Sequence, residues 1–265
     1  MKNIRRIGLS VISGAMATVA SSAWAADDIA DDGLIKLEET RKQVEQKLST
    51  TFANFKFYSI KESPVEGMYE IDTGSDMIYY APDNGVLIFG KMYNEAGENL
   101  TEVALAKATA ERMKDMDLSV ALEFGPEDAP VLTEFSNPDC GYCQRLHDWL
   151  DRDMRDTPVR RKIIFTVGHS RSSQDKAEHI LCSEDPEKAF NEIYERRGPR
   201  ELLRCDEGYR IVRQHIEIST AAGVSGTPTL IADGQRIRGF DRNKIEEFLT
   251  KRNAKENRHV AETSE

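Results

Sequence analysis

Val131-Leu132-Thr133-Glu134-Phe135-Ser136-Asn137-Pro138-Asp139-Cys140-Gly141-Tyr142-Cys143 runs into a helix-like segment ending at Leu150, and this stretch decides the fold. An apolar, β-branched strand that stops at a tight turn and delivers two cysteines, three residues apart, into the start of a helix is the layout of a redox dithiol. Free N–H groups and the helix macrodipole favour a thiolate at the first cysteine, and such settings lower a cysteine pKa to roughly 3.5–7.5. The second lies one turn further in, where it can attack a mixed disulfide formed by the first. Cys140 is therefore read as the nucleophile and Cys143 as the resolving thiol. Half of a zinc site has the same spacing. Only Cys182 and Cys205 remain, too far apart to form a second Cys-x-x-Cys knuckle, so zinc is set aside. His169, His179, His215 and His259 show no ligand spacing and read mostly as solvated; His147, two turns after Cys140, reads as a surface residue. No metal and no other cofactor is expected.

A second marker is Gly223-Val224-Ser225-Gly226-Thr227-Pro228-Thr229-Leu230-Ile231. Thr-Pro ahead of a short apolar strand is by itself an ordinary strand start, since only about 5–6% of X-Pro bonds in folded proteins are cis. Paired with the upstream Cys-x-x-Cys, it resembles the thioredoxin fold, in which a cis proline faces the disulfide and the residue before it offers backbone hydrogen bonds to an extended substrate. That resemblance makes Thr227 and Pro228, with Gly141 and Tyr142, the substrate-binding residues.

Lys2, Arg5 and Arg6 precede an apolar run from Ile7 to Ala20, and Ala23-Trp24-Ala25 places small residues at the two cleavage-defining positions. Residues 1–25 read as a secretory signal peptide cut after Ala25. The run is too short for a bilayer span, and no other stretch could cross a membrane, so no stable membrane insertion is expected. The remaining 240 residues carry 33 basic and 46 acidic side chains, a net charge of −13. That balance repels nucleic acid and anionic membranes and otherwise speaks to solubility. Export permits disulfides. With Cys140 and Cys143 as the reactive pair, Cys182 and Cys205 are left for each other as a structural disulfide. Closing their 22-residue loop would stabilise by roughly 3 kcal/mol in the chain-entropy model. A second redox-active pair is the competing reading, but it lacks the close spacing of a rapid exchange site.

The mature chain is long enough for two domains. Asp31-Asp32 can cap a helix with Leu34, Leu37, Val44 and Leu48 on one face. Four short strands follow, at Phe55–Ile60, Met68–Ile71, Met77–Tyr80 and Val86–Phe89, joined by the turn sequences Thr73–Asp76 and Pro82–Gly85. This α+β piece, residues 26–101, is a helix against a meander with too small a core to stand alone, which points to self-association or docking. Residues 102–120, free of proline and glycine, read as a linker helix. Residues 121–252 read as an α/β catalytic domain. Its strands are Val131–Phe135, Arg160–Val167 (edge-like at its basic start), the Thr227-Pro228 strand and Arg236–Arg238. Helical segments at Ser172–Tyr194 and Tyr209–Ala222 form an insertion, and a last helix covers Asp241–Arg252. Residues 253–265 read as a disordered tail.

Taken together, the chain resembles the DsbC/DsbG family of periplasmic thiol:disulfide isomerases. The likeness rests on Ser63-Pro64-Val65-Glu66-Gly67-Met68-Tyr69, Gly90-Lys91-Met92-Tyr93, Cys140-Gly141-Tyr142-Cys143, Leu146-His147, Gly223 to Pro228 and the placement of Cys182 and Cys205. The resemblance implies an N-terminal dimerisation domain, a linker helix and a thioredoxin fold with a helical insertion. It also implies a V-shaped homodimer in the periplasm, kept reduced by a DsbD-type membrane reductant, that rearranges wrong disulfides in misfolded exported proteins and has chaperone activity. A thiol reductase, a dithiol oxidase or a cysteine-independent holdase are the alternatives. Glu134 departs from the family, which has an apolar residue there. If it points inward it can accept the proton of Cys143, burial permitting; if outward, it is one polar position of an alternating strand. Thr229 also departs, and no function is drawn from it.

Overall fold

The structure, a computed structural model, describes residues 41–52 and 56–263. The signal segment, Leu34, Leu37 and Phe55 lie outside these residues. Helix α1 (residues 41–51) belongs to one compact unit and Phe52–Glu265 form another. Val44 and Leu48, four residues apart on α1, are both buried.

Within the larger unit, β1 (Ser59–Glu62), β2 (Tyr69–Asp72), β3 (Met77–Ala81) and β4 (Val86–Ile88) make an antiparallel meander in chain order. The turn glycines Gly74 (φ +90°) and Gly85 (φ +65°) take the left-handed conformations that such connections require. Helix α2 (Leu100–Met113) is capped by Asn99, whose side chain accepts the Glu102 N–H. Leu105 and Ala108 of α2 share a core with Met77 and Tyr79 of β3, and Tyr79 Oη lies 2.6 Å from Thr101 Oγ1.

Several boundaries differ from the sequence reading. The first strand starts at Ser59: Tyr58 still gives its N–H to Asp72, but its side chain leaves the sheet and bonds the Thr220 carbonyl. The helix read through Val120 stops at Met113, because Asp117 serves better as a cap, accepting the Ser119 N–H ahead of a single 3₁₀ turn at Leu118–Val120. A short strand that the sequence reading did not include, β5 (Leu122–Phe124), then joins the second sheet.

That sheet has the order β5-β7-β6-β8-β9, with β6 (Val131–Ser136) in the middle, parallel to β7 (Arg160–Phe165) and antiparallel to β8 (Thr229–Ala232). β9 (Gln235–Arg238) closes one side. β7 is an interior strand, correcting the edge-like reading of its basic start. Arg160 and Lys162 reach Glu123 of β5, while Arg161 turns inward. One core is formed by Leu132, Leu230 and Ile237 with Leu146 and Trp149 of α3 (Gly141–Arg152) and Ile245 and Leu249 of α7 (Arg242–Thr263). The other is formed by Ile163 and Phe165 with residues of α4 (Arg171–Cys182), α5 (Pro186–Tyr194) and α6 (Asp206–Ala221), the expected helical insertion. Cys182 and Cys205 are joined as a disulfide between the end of α4 and the cap of α6. α7 continues past Arg252 to Thr263, so the tail read as disordered is helical over most of its length. It contains no helix breaker, and Lys251 pairs with Glu247 one turn away.

Candidate active site

β6 is buried along Leu132–Ser136 and ends in Asn137-Pro138-Asp139, where the chain must turn into α3. Asn137 makes that turn: its Oδ1 accepts the Asp139 N–H at 2.8 Å, its Nδ2 donates to Thr166 O at 3.1 Å, and its carbonyl accepts the Cys140 N–H at 3.0 Å. Cys140 is the N-cap residue of α3, makes no side-chain capping bond and is half-buried. Its Sγ lies 3.3 Å from Thr227 O, and the Thr227–Pro228 peptide is cis. Two segments about 85 residues apart in sequence therefore meet, as the pairing of Cys-x-x-Cys with Thr-Pro implied. Gly141 faces open space and Tyr142 is exposed, with the Arg145 guanidinium 4.1 Å over its ring.

The two thiols differ in kind. Burial pushes the Cys140 thiol up, but hydrogen bonds with the Thr227 side chain, with Cys143 and with the Tyr142 backbone more than offset it, leaving the pKa below the ordinary cysteine value. Cys143, fully buried, is pushed up to about 12 by burial first and by the charge of Glu134 second. The arrangement can supply a thiolate at Cys140 while Cys143 keeps its proton.

Beneath the thiols lies a charged pair. Glu134 has no exposed surface, which settles its direction as inward. Arg161 Nη2 donates to Glu134 Oε2 at 2.5 Å, and Glu134 Oε1 is buried without a partner. The Arg161 guanidinium lies over the rings of Phe124 and Phe190 at 5.1 and 5.2 Å, and its Nη1 meets His147 Nδ1 at 3.3 Å. Tyr194 donates to Ser136 Oγ at 2.7 Å in the same buried region. Arg161, Tyr194 and Ser136 were not singled out from the sequence; nothing local to them marks a site, because β7 and α5 bring them there.

His147 is buried, not at the surface as read from the sequence. The signal was present: Cys143, Leu146, His147 and Leu150 fall on one helical stripe, and His147 is one turn from Cys143. His179 and His215 are buried as well, correcting their reading as solvated. His215 Nδ1 accepts the Phe165 N–H at 3.1 Å and Nε2 faces Val120 O at 2.8 Å, so one neutral ring ties β7 to the 3₁₀ turn. Burial, aided by Arg161, lowers His147 to about 3; burial lowers His215 to about 4 against the Val120 hydrogen bond. Both groups are neutral in folded and unfolded chains above pH 6.5, where their packing contributes in full. Below it the unfolded chain takes up protons that the folded chain refuses, so stability falls as pH drops from about 6.5 toward 4 by on the order of several kcal/mol. Thermal melts across that range should show the loss, and a His215→Gln variant should show a shallower slope; an equal slope would remove His215 from the account.

Among the described residues no helix is long and apolar enough to cross a membrane. Residues 22–102 match the model of a disulfide bond isomerase protein N-terminal domain, and residues 120–252 match that of a thioredoxin-like domain. The Escherichia coli thiol:disulfide interchange protein DsbC is 29% identical over 196 residues, 72% of this chain and 80% of that protein. The Haemophilus influenzae DsbC is 27% identical over 219 residues, 82% of this chain and 88% of that protein. A solved disulfide interchange protein of Neisseria gonorrhoeae is 26% identical, covering 52% of this chain and 98% of that chain with a TM-score of 0.44.

Proposed function

This chain belongs to the thioredoxin-like family in its DsbC-type form, a thiol–disulfide oxidoreductase with a disulfide bond isomerase N-terminal domain, and from that premise we propose that it is a periplasmic disulfide isomerase. Cys140 is its nucleophile. The Cys140 thiolate attacks one sulfur of a client disulfide, forming a mixed disulfide and expelling a client thiolate. A second client thiolate then attacks the client sulfur of the mixed disulfide, which makes the new client disulfide and returns the Cys140 thiolate with no net electron transfer. In the escape route, Cys143 loses its proton and attacks Cys140 Sγ, releasing reduced client and leaving a Cys140–Cys143 disulfide. That disulfide needs two electrons from a DsbD-type membrane dithiol. Glu134 is the proton acceptor for this step through its unpartnered Oε1.

The observation that carries the isomerase reading over a simple reductase is the full burial of Cys143 within reach of the Glu134 charge, both of which favour its protonated form. Escape is slow, and the mixed disulfide persists long enough for a client thiol to find it. Thr227 and Pro228, flanked by Gly141 and Tyr142, hold the client strand. Residues 26–101 form the dimerisation domain, 102–120 the linker and 121–252 the catalytic domain. Exposed Val86 and Ile88 on strand β4, which among the described residues pairs on one side only, with Phe89 beyond them, support pairing with a second copy. Facing catalytic domains would give the dimer its chaperone cleft.

The test is recovery of a scrambled-disulfide protein in glutathione buffer. The mature chain should restore activity and Cys140→Ser should not. Rapid reduction or oxidation of simple dithiol substrates without recovery would replace the isomerase reading with a reductase or oxidase. Suppressed client aggregation as the sole activity would leave a holdase.

A further inference from the structure

The turn between β2 and β3 is built into the segment that carries Thr227. Gly74 lies backbone to backbone with Gly223 (φ +66°): a Cβ on Gly223 would stand 2.3 Å from both the carbonyl carbon and the carbonyl oxygen of Gly74. A Cβ on Gly74 would stand 2.6 Å from the Tyr58 ring. Neither position has room for a side chain, so the two backbones are in direct contact.

Two guanidiniums hold that contact. Arg236 of β9, 8% exposed, donates from Nη1 to Gly74 O and Thr109 Oγ1, both at 3.2 Å, and from Nη2 to Gly223 O at 3.0 Å. Arg112 of α2 donates from Nη2 to Gly74 O at 3.0 Å and Ala222 O at 3.3 Å, and its Nη1 pairs with buried Asp72. Asp72 in turn accepts the Gly74 N–H at 2.8 Å. Tyr58 Oη bonds Thr220 O at 3.1 Å, with its ring 5.0 Å from the Arg112 guanidinium, and Arg238 pairs with Asp76 at 2.9 Å. Thr220, Ala222 and Gly223 are the carbonyls at the C-terminal end of α6, where the helix dipole favours cations. A contact needed only for packing would be served by apolar side chains, since desolvating guanidinium groups is costly. Here two are spent on aiming carbonyls.

The segment they aim is short. Gly223 begins the run that ends at cis Thr227–Pro228, and Thr227 O is the partner of Cys140 Sγ. The far side of the run is tied too, because Pro228 O accepts the Gly239 N–H at 2.8 Å just beyond β9. We propose that Arg236 and Arg112, with the Asp72–Asp76 turn as their counterpart, are positioning residues for thiol–disulfide exchange: they set Thr227 against Cys140, so the N-terminal sheet takes part in the redox site as well as in self-association. The proposal rests on Cys140 being the attacking thiol.

Loss of the clamp lets Thr227 shift as a whole against Cys140. The Thr227 side-chain hydrogen bond, one of the interactions that favour the Cys140 thiolate, then weakens.

The experiment uses the full mature chain with Arg236→Gln, Arg236→Lys and Tyr58→Phe. It follows iodoacetamide alkylation of Cys140 against pH and the KM and kcat for a disulfide peptide, at a temperature where melting shows each variant folded. Arg236→Gln should raise the alkylation midpoint by ~0.5 pH unit, a ~3-fold slower reaction below the midpoint, and raise KM more than it lowers kcat. Arg236→Lys should recover part of both. Tyr58→Phe, which removes one hydroxyl from an exposed ring, should move the midpoint the same way by a smaller amount and serves if Arg236→Gln does not fold. Wild-type midpoint and KM in Tyr58→Phe and in every folded Arg236 variant would overturn the clamp, even with lowered melting temperatures. If the unsubstituted chain is not alkylated first at Cys140, the underlying assignment of the nucleophile fails instead.

Discussion

Cys140→Ser should abolish disulfide exchange, a loss on the order of 10³-fold or more, with the fold intact. The serine fits: Cys140 is half-buried at the N-cap of α3, a position that serine fills well and where its hydroxyl can accept a backbone N–H. What it cannot do is ionise near neutral pH or form a sulfur–sulfur bond. Cys143→Ser should behave differently. It leaves the lowered pKa of Cys140 largely in place, so attack on a client continues, but escape is gone. Mixed disulfides should accumulate and be visible as covalent complexes on a non-reducing gel, and addition of dithiothreitol should release them. Equal loss in both variants, without trapped complexes, would mean that Cys143 attacks first, against the burial that holds its proton on.

Arg161→Ala should be strongly destabilising, costing roughly 3–5 kcal/mol, because it strands an uncompensated carboxylate in the core. Glu134 has no exposed surface, and Arg161 is its ion-pair partner. The guanidinium also fills space between Phe124 and Phe190 and meets His147. In a domain of this size the melting temperature should fall by roughly 10 °C or more. The double variant Glu134→Leu with Arg161→Met removes both charges and should recover most of the loss, as buried ion pairs replaced by apolar groups often do. Activity should not follow stability. With Glu134 gone, Cys143 loses both the charge that helps raise its pKa and its proposed proton acceptor, so escape from mixed disulfides should change while attack by Cys140 should not. A double variant with wild-type escape kinetics would show that Glu134 is structural alone.

The sequence by itself determined what depends on neighbours along the chain. Cys140 and Cys143 at the mouth of an amphipathic helix, the turn glycines at 74 and 85, and the alternation of short strands are local patterns, and the structure has them within a few residues. Pairing Cys-x-x-Cys with Thr227-Pro228, and Cys182 with Cys205, reached further, through resemblance for the first and elimination for the second. Side chains whose surroundings are assembled from distant strands were beyond such reading. Glu134 had two directions until β7 supplied Arg161. His147 was misplaced because a polar residue on a helix is usually solvated, and only the aromatic wall of α5 with Arg161 makes its burial tolerable. Arg112 and Arg236, 124 positions apart, carry no motif at all. Their shared acceptor, Gly74 O, exists as a site only once two sheets and the end of α6 have come together. Local propensity is written residue by residue, whereas the desolvation of a charge and the partner that compensates it are properties of the packed chain.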